Sequence, residues 1–139
     1  MPDISEELLR RVEADEPDAL WEYSCLMEHD NRDEAHKYAV LAAQLGVPQA
    51  IKRLGDEYYK ANNLAEAEHY YRLGVKAGLI DCSVRLAEMR LPSDEQNAVT
   101  ELEELAEMGV NSACAALADY YSKLGDKVQY AYWSSRVKE

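Results

Sequence analysis

The residues of this chain best suited to chemistry are three histidines, His29, His36 and His69, and three cysteines, Cys25, Cys82 and Cys114. Cys25 and His29 stand four apart, one helical turn, a spacing at which an imidazole can activate a thiol as a nucleophile. Glu34 with His36, and Glu68 with His69, set a carboxylate beside an imidazole, a pairing used for metal binding or proton transfer. Each arrangement needs more: a third group to orient the base, and donors for an oxyanion. Neither is visible. No His-Glu-x-x-His, Gly-x-Ser-x-Gly or phosphate loop occurs. We therefore expect Cys25 to be a packed cysteine and the Glu–His pairs to be solvated. We expect no enzyme, no metal and no cofactor.

Charge narrows the partners. Fifteen basic residues against 27 acidic ones give a formal charge of −12. Such a field repels phosphate backbones and anionic lipid, so neither nucleic acid nor a membrane surface is expected as a partner. The opening residues carry acid and no apolar h-region, which argues against a secretory signal. No run is apolar and long enough to span a bilayer. Three cysteines without a Cys-x-x-Cys read as reduced core thiols of a cytoplasmic protein.

The elements that would position any site come from repetition. Glycines fall at Gly46, Gly78 and Gly109, 32 and 31 apart. Small residues fall at Ala19, Ala50, Cys82 and Ala113, spaced 31, 32 and 31. Four residues after each comes a large one, Tyr23, Leu54, Leu86 and Leu117; the next position is small, Ser24, Gly55, Ala87 and Ala118. Asn31 with Glu34, Asn63 with Glu66, Ser93 with Gln96, Asp126 with Gln129, and Asp3 with Glu6 have the form of capping boxes. Each repeat therefore predicts a helical hairpin. The first helices, A, span about 17–30, 48–61, 81–91 and 112–124; the second, B, about 32–45, 64–77, 94–108 and 127–138. Pro17 and Pro48 open A helices. The three glycines close B helices, where a left-handed residue is favoured. A leading helix at about 4–14 resembles an extra B helix, with Asp15 where glycine would stand.

Repeat two carries a family resemblance. Its "LGDEYY", followed by Ala67 and Tyr71, is similar to the tetratricopeptide pattern of Leu-Gly-x-x-Tyr, a later Ala and an aromatic four beyond. "RLGVKAG" and "VLAAQLGVPQA", with an Ala/Gly-rich helix end, then glycine, then a small residue four on (Cys82 and Ala50), are similar to Sel1-like repeats, a close cousin. The resemblance covers about residues 17–139. Repeat three departs most, with Arg90 and Leu102 at the aromatic columns, and repeat one has Met27 and Ala39 there. It implies an all-α, right-handed superhelical solenoid in a single domain, 1–139: a leading helix, then repeats at about 17–46, 48–78, 80–109 and 111–139.

The columns have physical work. Gly55, Ala87 and Ala118 let helix A approach helix B, faced by Ala35, Ala67 and Ala98, and stacked hairpins share one core. The chain has ten Tyr and no Phe, and in a thin stack a tyrosine buries its ring while its hydroxyl stays near water. Neighbouring positions on a helix point about 100° apart. Of the pairs Tyr58–Tyr59 and Tyr70–Tyr71, we assign Tyr58 and Tyr71 inward, with Tyr59 and Tyr70 facing out or toward a neighbouring repeat.

The resemblance also implies that A helices line a concave surface along which partners lie. Carried over by column, that surface comprises Gln49, Lys52, Asp56, Tyr59 and Lys60 in repeat two, with Trp21 and Glu28 among the matching positions of repeat one. Residues 32–63 have net charge +1, between acidic stretches at 1–31 and 80–110. Aromatic anchors beside two lysines suit an acidic or C-terminal peptide segment. The alternative is that Trp21 packs on the leading helix and the lysines only balance nearby acids. At the other end, Tyr130, Trp133 and Val137 form a stripe with no capping helix expected after it, a candidate homodimer contact; the alternative is that these residues pack back on the fourth A helix. The expected function is a non-catalytic adaptor or scaffold binding a protein or peptide. Self-assembly through the last helix, and a small acidic secretion-type chaperone, are the alternatives.

Overall fold

Proline and asparagine decide where the helices begin. The computed structural model describes residues 4–138, and among them there are nine helices and no strand. They are α1 (Glu6–Glu13), α2 (Pro17–Met27), α3 (Arg32–Gln44), α4 (Pro48–Lys60), α5 (Leu64–Lys76), α6 (Ile80–Arg90), α7 (Glu95–Glu107), α8 (Asn111–Leu124) and α9 (Lys127–Ser134). Pro17 and Pro48 are the first residues of α2 and α4, where a missing amide breaks no bond. The side chain of Asn31 accepts from the Glu34 amide at 3.2 Å, and Asp126 from that of Gln129 at 3.1 Å. Asn63 does the same for Glu66 at 3.5 Å.

Two expected caps differ. The Ser93 hydroxyl donates to the Arg90 carbonyl at 3.4 Å, so α7 starts one residue later, after Asp94, without a side-chain cap. The cause is a tight turn after α6, in which the Ser93 and Asp94 amides both bond to the Arg90 carbonyl. At α1 it is Ser5 that accepts from the Leu8 amide at 3.1 Å; Asp3 lies outside the described residues. The ends of the B helices follow the glycine column, with φ of 90°, 84° and 91° at Gly46, Gly78 and Gly109. Asp15 occupies the same left-handed region after α1, at φ 56°.

The chain divides into two compact units, residues 1–77 and 78–139. In the first, α2 pairs with α3 and α4 with α5, and α1 lies on α2. Its core runs from Leu8 and Val12 through Leu20, Ala39, Ala43, Ile51 and Leu54 to Tyr70. In the second unit, α6 pairs with α7 and α8 with α9 around Val84, Leu102, Cys114, Leu117 and Trp133. Small residues set the approach within pairs: the Ser24 hydroxyl donates to the Ala35 carbonyl at 2.5 Å, and Gly55 lies under the Tyr71 ring.

Some side chains match the expected inward and outward sets and others depart. Tyr71 is fully buried as expected, and Tyr70 is buried toward the neighbouring repeat, one of its two expected placements. Tyr70 stacks on Tyr58 with ring centroids 5.7 Å apart, so it fills the seam toward α3 and α4 while Tyr71 fills the seam within its own hairpin. Tyr58 is only half-buried, and its hydroxyl is 3.2 Å from His36 Nε2. Cys82 and Cys114 are core thiols, whereas Cys25 is exposed, because α2 turns its Ser24 face inward.

Candidate functional site

A cleft of roughly 130 Å³ opens in the first unit where α2, α3 and α4 converge. Ser24 comes from α2 and Glu28 from the residue that caps its end, Arg32, Ala35, His36 and Ala39 from α3, and Arg53 and Glu57 from α4. The floor is made of small side chains. Repeat one has Ala39 where repeat two has Tyr71, and Ser24 where repeat two has Gly55. The ring that closes the corresponding seam of repeat two is thus missing here.

Arg53 organises the wall. Its guanidinium pairs with Glu28, and its Nε donates to Glu57 Oε1 at 3.2 Å. It lies over the Trp21 ring at 5.4 Å, and Nη1 reaches Cys25 Sγ at 4.0 Å. Burial disfavours its charge, but hydrogen bonds to both carboxylates outweigh that and hold its pKa above the ordinary value. Burial also pushes the Cys25 thiol up, and the nearby guanidinium does not reverse this. Cys25 is therefore held away from the thiolate form a nucleophile needs.

The residues proposed from sequence separate into two groups. Trp21 and Glu28 meet at Arg53. Gln49, Lys52 and Lys60 are exposed on α4 and do not line the cleft. Asp56 accepts a hydrogen bond from the Tyr71 hydroxyl at 2.6 Å, and the Tyr59 ring lies 6.5 Å from that of Tyr71. Asp56 and Tyr59 thus belong to the α4–α5 seam. Column matching passed over Arg53, Glu57, Ser24, Arg32 and His36 as lining residues. The available signals were the i, i+4 pair Arg53–Glu57 and the alanine at position 39.

At the chain's other end, Tyr130 is exposed, but Trp133 is buried against the second core and Val137 is half-buried beyond the end of α9. The reason is that the chain leaves the helix at Ser134 and folds back on α8, where Asn111 bonds the backbone of Lys138. Trp133 and Val137 thus follow the alternative of packing back on the second core, and of the stripe Tyr130 alone is exposed. The exposed apolar side chains here are Leu124, Val128, Tyr130 and Tyr132.

Among the described residues no group of three or more His, Cys, Asp or Glu could hold a metal ion, and no helix is long and apolar enough to cross a membrane. Compared with family models, curated proteins and solved structures, the chain matches none.

Proposed function

We propose that this chain is a non-catalytic interaction module of the tetratricopeptide/Sel1-like kind, holding a protein or peptide segment along the surface of its A helices. The observation that carries the reading is the open cleft where α2, α3 and α4 meet, with Glu28 and Arg53 on its wall and the Arg53 guanidinium over the Trp21 ring. A recess with small side chains on its floor and paired charges on its rim suits side-chain recognition. The repeated columns support it: small residues at Ser24, Gly55, Ala87 and Ala118 within the hairpins, and left-handed residues between them. On this reading the hairpins are repeats of a right-handed superhelix acting in the cytoplasm.

The test is affinity capture from the protein's source extract with the wild-type chain and with an Arg32→Glu, His36→Ala variant. Both residues line the cleft and are exposed, so the variant should keep its helical signal. The reading expects a partner that the wild type retains and the variant releases. A partner held equally by both would move the working surface off the cleft.

One observation favours a second reading, self-association. Val128 is 78% exposed and Tyr130 and Tyr132 nearly half, all on α9. Sedimentation of wild type against Val128→Lys would separate the two: a dimer dissolved by that change supports self-association.

A further inference from the structure

We propose that the cleft beside Arg53 is a socket for a tyrosine side chain of the bound partner, taking the phenol ring that repeat one lacks. This rests on the interaction-module reading and names the chemistry that its cleft selects.

The chain itself shows what fits such a seam. In repeat two the ring of Tyr71 lies over Gly55, and its hydroxyl donates to Asp56 at 2.6 Å. In repeat one the equivalent positions are Ala39, Ser24 and Cys25, and the space is open. Its volume, roughly 130 Å³, is close to that of a cavity able to take benzene, about 150 Å³. Ser24 carries the Cβ that Gly55 lacks. A visiting ring therefore stands further out than Tyr71 does, against Arg53, whose planar guanidinium already lies over the Trp21 ring.

The polar rim suits a phenol. Glu28 and Glu57, both held by Arg53, have oxygens that can accept its hydroxyl proton. Phenol-to-carboxylate contact is a habit of this chain: Tyr71 with Asp56, Tyr23 with Glu34 at 3.3 Å, and Tyr120 with Glu95. In the lining Arg32 and Arg53 balance Glu28 and Glu57, so the rim offers an anionic ring substituent no net attraction, and a phenol hydroxyl adds a hydrogen bond that a plain benzene ring cannot make. The occupant is thus an uncharged tyrosine side chain.

The experiment is a titration of the full chain with p-cresol, the tyrosine side chain as a free molecule, followed by amide NMR. Toluene and p-tolyl phosphate serve as comparisons. The proposal expects saturable shifts centred on Ser24, Glu28, Ala39 and Arg53, with p-cresol bound more tightly than either comparison. A variant carrying Ser24→Gly and Ala39→Tyr supplies the ring internally, as repeat two does. It should keep its helical signal and lose p-cresol affinity at least about tenfold. Arg53→Lys keeps the charge but removes the stacking plane, and should weaken p-cresol binding even if the filled variant folds poorly. Absence of saturable shifts at these residues in the wild type overturns the socket. Toluene or p-tolyl phosphate binding as tightly as p-cresol overturns its phenol selectivity. Partner capture that persists while p-cresol fails overturns the socket alone and leaves the interaction module standing.

Discussion

The ring of Tyr71 lies so close to the backbone of Gly55 that a methyl group on Gly55 would stand 2.7 Å from its Cε1 and 2.9 Å from its Cδ1. The ring cannot move aside, because it is fully buried and its hydroxyl is tied to Asp56. Gly55→Ala should therefore destabilise the first unit. Overpacking costs about 1–3 kcal/mol, and the gain in helix propensity returns at most about 1 kcal/mol. Denaturant unfolding should show a net loss, and the loss should vanish in a Tyr71→Leu background. An unchanged midpoint for Gly55→Ala alone would mean that the ring does not set the helix separation.

Asp15 holds a left-handed conformation, φ 56°, at the position that the later hairpins give to glycine. A side chain there costs roughly 1–2 kcal/mol, less for Asp than for most residues. Asp15→Gly should raise the thermal midpoint by a small but measurable amount, while Gly46→Ala, at φ 90°, should lower it. Equal midpoints for Asp15→Gly and wild type would show that this strain is already relieved in the native chain.

Those two positions also show why much of the helical plan was legible. A left-handed residue after a B helix, proline at the start of an A helix and asparagine before a B helix act through the local backbone, so residue type and spacing report them directly. The α7 start was missed by one residue because Ser93 and Asp94 both offer a capping oxygen, and the turn at Arg90 chooses between them. The site was less legible, for a physical reason. Trp21, Glu28, Arg53 and Glu57 come from two helices about 30 residues apart, and only packing decides that Arg53, and not Lys52, turns toward α2. The exposed Cys25 is an error of the same kind: the helical face was known, but not which neighbour would cover it.

Glu88 gives a pH dependence with a definite sign. Burial raises its pKa above the ordinary 4.5, outweighing Arg85 nearby, and Asp119 adds to the rise while Lys123 opposes it. The folded state therefore binds this proton more tightly than the unfolded state does. Its contribution is most favourable below the ordinary glutamate range and is lost as pH rises toward the raised folded value. Glu88→Gln should raise the thermal midpoint at neutral pH and leave it nearly unchanged at low pH, where Glu88 is already neutral. A variant less stable than wild type at neutral pH would show that the Arg85 pairing at 3.3 Å outweighs the desolvation.

Asn111, the first residue of α8, clasps the chain after α9. Its Nδ2 donates to the Lys138 carbonyl at 2.9 Å, and its Oδ1 accepts from the Lys138 amide at 2.5 Å. This pairing keeps Val137 against the second core and holds Arg136 over the Tyr132 and Trp133 rings, 5.2 and 5.4 Å from their centroids. Trp133 is buried there with no hydrogen-bond partner for its Nε1 among the described residues, so its burial depends on apolar cover and not on polar anchoring. Asn111→Ala should release the tail at a cost of about 1 kcal/mol. The checks are hydrogen exchange at the Lys138 amide, which should lose its protection, and Trp133 fluorescence, which should shift to the red as water reaches the indole. Asn111→Asp keeps the acceptor and loses the donor, so it should retain part of the protection. If Asn111→Ala leaves both signals unchanged, the packing of Val137 and Arg136 holds the tail, and the clasp is incidental.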